Sequence, residues 1–344
     1  MIGPVVISKT RAFLARRGKG RCNALAVGFE PHRAVVATRG IAEDRANIAT
    51  DLSHEKEKTK APKIMTKKTL TLGHSPDPDD AFMFYGLAEK KLDTKGWSFE
   101  HVLQDIQTLN ERAIRGELDI TAISMHAYPF VADKYALTAC GSSMGDGYGP
   151  MVVTREPMGV QDLKGLSIAI PGEKTTAFLA LNLLIGRGSF TYKVVPFDQI
   201  LQHVADKKAD AGLIIHEGQL TYANQGLHCV VDLGQWWKET TDLPLPLGGN
   251  CIKRDLGTEA MEEVTAILKA SIQYSLDHRT EAVTHALQYA RDMGHELADQ
   301  FVGMYVNHWT LDYGPKGRAA IRLLLDRAHQ IDLVPAVGEI DFIG

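Results

Sequence analysis

Residues 210–222 read DAGLIIHEGQLTY. The apolar run of this stretch is shorter than a typical helix and is bounded by Asp210 and Gly218, which predicts a buried parallel strand ending at His216. Ligands of open α/β sheets bind where strands end. Because an unperturbed histidine titrates near neutrality, His216 could act there as a base; the alternative is a structural histidine whose ring nitrogens are both satisfied.

The composition predicts a protein with a large core. With 344 residues and 44% hydrophobic content, the chain is more consistent with two lobes than with one. The net charge of -4 favours no polyanionic partner, so we expect no nucleic acid ligand. Residues 1–68 hold 15 Lys and Arg against 6 Asp and Glu, whereas the remainder holds 23 against 36, so the body of the protein is acidic.

Compartment and metal content are predicted from absences in the sequence. Cys22, Cys140, Cys229 and Cys251 form no C-x-x-C pair, which indicates neither a disulfide framework nor a structural metal. No apolar run approaches the roughly 18 residues of a membrane span, and residues 1–8 lack the features of an export signal. We therefore expect a cytoplasmic protein with no membrane span.

Residues 1–66 show no sustained periodicity and contain the charged run HEKEKTK at 54–60. We predict a disordered or dispensable N-terminal extension. A transit-like or regulatory tail and a small appended element are the alternatives.

The organised chain begins with an alternating strand, Thr69–His74, followed by the turn SPDPDD at residues 75–80. Two prolines exclude a helix before Asp79, so we expect Asp79 to cap a helix over residues 80–91. Such a turn presents unpaired N–H donors and could border a ligand site, or it could be a stiff turn with a good cap.

The next segments alternate between strand and helix, which predicts βαβ units and a mostly parallel sheet. We predict strands at 98–103 and 118–124, with a helix at 106–115 that Gly116 stops. Ser124 and His126 then fall at a strand end, where they could contact a ligand or cap a helix running to Asp133.

A glycine-rich loop at residues 141–150 fits no phosphate-binding motif and looks like a lobe boundary. The alternation restarts after a strand at 151–154, with strands at 166–170, 192–195 and 227–231 and helices at 177–185 and 199–207. Thr175 and Thr176 precede the first of these helices, where hydroxyl and N–H groups could hold an anionic or polyhydroxylated ligand or could simply cap the helix.

Residues 241–250 contain two prolines and a glycine pair, which predicts an extended crossing segment. Helices from Thr258 onward, around 281–291, 297–309 and 316–330, then return to the first lobe. We expect lobe 1 to comprise residues 67–153 and 245–344, and lobe 2 residues 154–244.

Four blocks together resemble the 1,4-dihydroxy-6-naphthoate synthases of the futalosine route to menaquinone. They are GHSPDPDDAFMFY at 73–85, SMHAY at 124–128, PGEKTTA at 171–177 and IHEGQLTY at 215–222. The resemblance covers residues 68–340 and implies a fold like the type II periplasmic binding proteins, with two α/β lobes and a ligand cleft between them.

The resemblance also implies an activity. Such enzymes convert cyclic dehypoxanthine futalosine into 1,4-dihydroxy-6-naphthoate and release a sugar-derived fragment without a metal or organic cofactor. It implies that His216 is the proton acceptor, and that Ser124, Met125, His126, Thr176 and Ala177 contact the substrate. Proton removal next to a carbonyl, carbon–carbon cleavage and aromatisation need a base near neutral pH and donors for oxyanion charge, which these residues could supply.

Two other functions are compatible with the same fold. One is chorismate dehydratase of the same pathway, although the SPDPDD turn and the IHEG block favour the naphthoate synthase. The other is a solute-binding protein without chemistry. We expect a lyase with a small-molecule substrate, and the sequence leaves its oligomeric state open.

Overall fold

The computed structural model describes residues 69–289 and 294–344, so the predicted N-terminal extension lies outside the described residues. The first part of the chain alternates as predicted. Its elements are β1 (Thr69–His74), α1 (Pro78–Met83), α2 (Tyr85–Ala88), β2 (Ser98–Leu103), α3 (Ile106–Arg115), β3 (Ile120–Ser124), β4 (Tyr135–Thr138) and β5 (Ser143–Gly145).

The middle part repeats the strand–helix alternation. Its elements are β6 (Met151–Thr154), β7 (Ser167–Ile170), α4 (Thr176–Ile185), β8 (Thr191–Val194), α5 (Ile200–Ala205), β9 (Ala211–Ile214), α6 (Gly218–Thr221), β10 (His228–Asp232) and α7 (Leu233–Thr241). The last part is mainly helical. Its elements are β11 (Leu245–Lys253), α8 (Thr258–Asp277), α9 (Arg279–Ala286), α10 (His295–Tyr305), α11 (His308–Leu311), α12 (Gly314–Gln330) and β12 (Phe342–Ile343).

These strands form two sheets. The first has the order β12-β4-β11-β3-β1-β2, with β5 also paired to β11, and the second has the order β10-β6-β9-β7-β8. Both are mixed: β1 pairs parallel to β2 and β3, whereas β11 runs antiparallel to β3. Because β6 pairs with β9 and β10, the chain enters the second sheet at Met151, three residues before the predicted boundary of lobe 2.

The second sheet contains the strand that precedes His216. Strand β9 is fully buried and lies between β6, antiparallel, and β7, parallel. It ends at Ile214 rather than at His216, so the prediction that the histidine is the last strand residue is wrong. Residues 215–217 form a turn into the short helix α6 instead.

The predicted helix over residues 80–91 begins earlier and is broken. Proline is tolerated at the first helical position, where its missing N–H has no helical partner, and α1 therefore starts at Pro78 with Asp77 at the N-cap position. The chain breaks at Phe84 before α2. The predicted helix running to Asp133 is only a 3₁₀ turn over Tyr128–Phe130, with a proline in it.

A cluster of buried apolar side chains spans both sheets, with Ile123 and Met125 from the first and Ile168 and Leu213 from the second. Trp237 belongs to this cluster and donates from Nε1 to the Pro244 carbonyl at 3.1 Å. Trp237 is therefore a core residue. Strand β12 pairs parallel with β4, so the C-terminal segment joins the first sheet.

Candidate active site

A cavity of about 120 Å³ lies where elements of both sheets meet. The first sheet contributes the turn after β1, the end of β3 and residues 247–250 of β11. The second contributes the start of α4 and Ile215, just after β9, while α10 contributes Phe301 and Tyr305. Strand ends from two sheets thus surround one space, as expected for a ligand site in an α/β protein.

Ser124 lines this cavity at the end of β3 and is held by one side chain. The Asn110 amide donates from Nδ2 to Ser124 Oγ at 3.0 Å, and its Oδ1 accepts from the Ser124 N–H at 2.8 Å. Because Oγ accepts from Asn110, the hydroxyl hydrogen of Ser124 can point to a ligand. The predicted contact residue is therefore oriented before a ligand binds.

Thr175, Thr176 and Ala177 also line the cavity, at the start of α4. Thr175 is the N-cap: its Oγ1 accepts from the Phe178 N–H at 3.3 Å and donates to the Gly172 carbonyl at 2.8 Å. The Thr176 hydroxyl donates to the Leu247 carbonyl of β11 at 2.5 Å. Both hydroxyls thus serve the structure, and what this corner offers a ligand is the N–H groups of a helix N-terminus.

Met125 and His126 lie behind the cavity wall and are not among its lining residues. Met125 is fully buried in the core, and its N–H donates to the Leu247 carbonyl at 3.0 Å. His126 donates from Nδ1 to the Thr175 carbonyl at 3.1 Å, and burial lowers the pKa of its ring to about 4. His126 thus supports the loop that carries Thr175 and Thr176, and Met125 is tied to β11.

His216 lies in the turn after β9, one residue beyond the cavity-lining Ile215. The side chain is buried, its ring stands edge-on to Phe197 with centroids 4.9 Å apart, and its carbonyl accepts from the Gln219 N–H at 2.9 Å. His216 itself is not among the lining residues. The structure therefore brings the turn to the cavity wall, and the His216 ring contacts Phe197 beside it.

Three aspartates of the SPDPDD turn form one end of the cavity: Asp77, Asp79 and Asp80. Asp80 Oδ2 accepts from the Ser75 N–H at 2.7 Å. Burial raises the pKa of Asp80 to about 7, with the Asp77 charge acting in the same direction; burial and the Asp80 and Asp77 charges raise the pKa of Asp79 well above its usual value. Asp79 and Asp80 therefore hold protons much closer to neutrality than ordinary aspartates.

The sequence marked this turn as the border of a site but did not single out its carboxylates as site residues. Asn250 and Tyr305 were missed altogether. Asn250 is 1% exposed, and its Nδ2 has no hydrogen-bond partner among the described residues. Tyr305 donates from its hydroxyl to Gln219 Oε1 at 2.7 Å. The register of β11 and the packing of α10 bring these residues to the cavity, and no local sequence signal marks either.

The charge around the cavity is one-sided. None of its described lining residues is Lys, Arg or His, whereas the turn after β1 supplies three carboxyl groups. Within residues 69–289 and 294–344, no group of three or more His, Cys, Asp and Glu side chains has the arrangement of a metal site. No helix in these same ranges is long and apolar enough to cross a membrane.

Comparison with solved structures places the fold. A crystal structure of an Archaeoglobus fulgidus protein has 44% sequence identity and a TM-score of 0.74, and the match covers 77% of this chain and 98% of that one. The alkanesulfonate-binding protein SsuA of Xanthomonas axonopodis, 12% identical, superposes with a TM-score of 0.60 over 78% of this chain and 94% of its own. The fold is therefore that of the periplasmic binding proteins.

Comparison of sequences places the family. The profile of a family described as menaquinone biosynthesis matches residues 70–330. A Streptomyces coelicolor relative named 1,4-dihydroxy-6-naphthoate synthase is 40% identical over 278 residues, which are 80% of this chain and 98% of that protein. A Thermus thermophilus relative of the same name, also 40% identical, covers 76% of this chain and 94% of its own. The protein therefore belongs to the menaquinone-biosynthesis family that includes the 1,4-dihydroxy-6-naphthoate synthases.

Proposed function

We propose that this protein is a 1,4-dihydroxy-6-naphthoate synthase that converts cyclic dehypoxanthine futalosine into the naphthoate by carbon–carbon cleavage. The observation that carries the proposal is the meeting of the four sequence blocks of the resemblance at one cavity wall: the SPDPDD turn, Ser124, the start of α4 and the turn after β9. The two curated relatives carry the same name.

The distribution of charge suggests how the substrate is oriented. The proposed product carries one carboxylate on a ring system that bears two hydroxyls. A carboxylate is stabilised by the N–H groups of a helix N-terminus, whereas the aspartates after β1 offer it no positive charge. We therefore orient the carboxylate toward Ser124 and the start of α4, and the hydroxylated part of the substrate toward Asp79, Asp80 and Asn250.

His216 is the proposed base. A neutral imidazole can remove a proton next to a carbonyl at neutral pH, and the resulting negative charge on oxygen needs donors within hydrogen-bond reach. The hydroxyl hydrogen of Ser124 and protonated carboxyls in the Asp79–Asp80 pair are such donors. In this mechanism His216 moves the proton, and the other groups hold the substrate and stabilise the charge that develops. We propose no metal and no organic cofactor for it.

The test is incubation of the purified protein with cyclic dehypoxanthine futalosine while the absorbance of the naphthoate is followed. Chorismate in a parallel reaction tests the dehydratase alternative. Formation of the naphthoate supports the proposal, whereas consumption of chorismate alone would assign the protein to the other reaction. Tight binding of the substrate without turnover would favour a solute-binding role.

His216→Ala tests the mechanism. We expect kcat to fall by about 10²–10⁴, the usual contribution of a general base, while the Kd for the product stays within about threefold. His228→Ala is the matched control, because His228 is an exposed histidine on β10 of the same sheet. Full activity of His216→Ala would remove His216 from the mechanism.

A further inference from the structure

The turn that carries His216 is linked to the rest of the cavity by a hydrogen bond between two distant segments. Tyr305, in α10, donates from its hydroxyl to Gln219 Oε1, in α6, at 2.7 Å. Both side chains are buried, with 4% and 3% of their surfaces exposed. In such surroundings a phenol hydrogen bond is shielded from competition by water.

Gln219 is also bonded to His216 through the backbone. Its N–H donates to the His216 carbonyl at 2.9 Å, so Gln219 closes the turn and accepts the tyrosine hydrogen bond at the same time. Helix α6 has only four residues, which gives the turn little regular backbone bonding of its own. Its position toward the cavity therefore depends on side-chain contacts.

The contacts of the turn come from two directions. On the side of its own sheet, the His216 ring meets Phe197, and Gly218 faces Leu201 of α5, whose Cδ1 is 3.1 Å from the position a Cβ would occupy. On the other side, the Tyr305 ring packs edge-on against Tyr148 and Phe301, with ring centroids 5.9 Å and 5.3 Å apart. These two contacts hold the Tyr305 hydroxyl in place.

We propose that Tyr305 is a positioning residue: through Gln219 it fixes the His216 turn at the cavity wall and so sets the position of the base. The inference rests on the proposed function where it concerns catalysis. The anchoring itself is a property of the fold and can be measured without substrate.

Tyr305→Phe removes the hydroxyl and keeps the ring contacts. We expect hydrogen–deuterium exchange in the peptide covering residues 215–222 to become about tenfold faster, because one buried hydrogen bond that opposes opening of the turn is lost. Exchange elsewhere should stay unchanged. Tyr148→Phe is the matched control: Tyr148 packs on the same ring and donates to the Met304 carbonyl, but has no bond to Gln219. Unchanged exchange at 215–222 in Tyr305→Phe would overturn the proposal.

The kinetic test is a double-mutant cycle of Tyr305→Phe with Gln219→Met. Methionine has a similar length but lacks the amide oxygen that accepts from Tyr305. We expect each single variant to lower kcat about tenfold with KM changed less than twofold, since misplacement of a base affects turnover more than binding. The double variant should be no slower than either single one, because both lose the same bond. Multiplicative effects, or a loss confined to KM, would contradict a positioning role.

The two levels of failure can be separated. If the wild-type protein does not form the naphthoate but Tyr305→Phe loosens residues 215–222, the anchor stands and the proposed function fails. If the wild-type protein is active and exchange at 215–222 is unchanged, the positioning role fails and the proposed function stands.

Discussion

Asp80 is an ionisable side chain whose surroundings oppose its charge. It is buried in the cavity wall beside Asp77 and Asp79, and the hydrogen bond from the Ser75 N–H offsets only part of the cost. Because its pKa is raised from 3.8 to about 7, the folded state binds a proton that the unfolded state has already released between these two pH values. Protonation of Asp80 therefore makes its full contribution to the free energy of unfolding below pH 3.8, and this contribution is lost as the pH rises through about 7.

Asp80→Asn should remove this pH dependence. The amide oxygen can still accept from Ser75, and no charge has to be buried. We expect the variant to be more stable than the wild type by on the order of 2–4 kcal/mol at pH 8, with a much smaller difference at pH 4.5. Urea denaturation at both pH values measures this, with Asp326→Asn, an exposed aspartate, as the control. A difference that does not vary with pH would contradict the argument.

Asn250 presents the opposite situation, a buried donor without a partner among the described residues. Replacing an unpaired buried amide by an apolar side chain of similar size removes a desolvation cost. We expect Asn250→Leu to raise stability by about 1 kcal/mol and to weaken product binding, since the cavity loses a hydrogen-bond donor. Thermal unfolding and product titration measure the two effects.

Asn182→Leu is the matched control for Asn250→Leu. Asn182 is equally buried, but its Nδ2 donates to the Phe178 carbonyl at 2.8 Å, so the same replacement should destabilise the protein. If both variants lose stability alike, Asn250 has a partner in solution and the proposed trade-off is wrong.

At the scale of elements, strand β9 is held by close contact with helix α5. A Cβ on Gly212 would lie 2.7 Å from the γ2 carbons of both Ile200 and Val204. Gly212 thus lets the helix approach the strand that leads to Ile215 and His216. This glycine has a packing role, because its backbone is not among those with positive φ.

Gly212→Ala should push α5 away from the sheet. We expect a loss of about 1–3 kcal/mol, the usual cost of overpacking a core, together with lower kcat because β9 positions the His216 turn. Chemical denaturation and steady-state kinetics measure both. Gly338→Ala, at a site where a Cβ would meet nothing within 4 Å, should leave both unchanged. A neutral result for Gly212→Ala would mean that α5 adjusts without cost.

The sequence predicted elements well where local signals were strong. The bounds of β1, β2, α3 and β6 are confirmed, because alternation, an Asp105 cap and Gly116 in a left-handed conformation define them locally. It failed where two weak signals compete. The two prolines of the SPDPDD turn predict that no helix begins before Asp79. Pro78 is nevertheless the first residue of α1, a position where a helix accepts proline. The predicted end of β9 is two residues late because one more apolar residue, Ile215, follows its last paired residue and leads to His216.

The residues of the candidate site also divide into those that local signals predict and those that they do not. Ser124, Thr175, Thr176 and Ala177 line the cavity, and each lies at the end or the start of a recognisable element. Tyr305 and Asn250 could not be found this way, because an amphipathic helix and a buried strand each contain many equivalent positions. Only the packing of α10 and the register of β11 against β3 decide which of these side chains reaches the cavity.

At the scale of the whole molecule, the cavity depends on the chain passing between the two sheets more than once. The chain enters the second sheet at β6 and returns with β11, which pairs with β3, β4 and β5. The first crossing is closely packed. A Cβ on Gly149, which lies between β5 and β6, would be 3.0 Å from the Cα of Gly234 in α7. A ligand site between elements of both sheets is therefore a product of the full set of crossings, and neither half of the described chain provides it alone.

The elements that form this site all follow residue 68. The family match begins at residue 70, and the Streptomyces coelicolor relative is matched over 98% of its length by 80% of this chain. A chain starting at Met65 should therefore keep the melting temperature of the full-length protein within about 2 °C and its kcat within about twofold. Thermal unfolding and turnover of cyclic dehypoxanthine futalosine, measured on both chains, test this.

A second chain, starting at Gly73, is the control that should lose stability, because it removes most of β1, which pairs with both β2 and β3. A fall of more than about 5 °C for the chain starting at Met65 would show that the preceding residues contribute to the stability of the body.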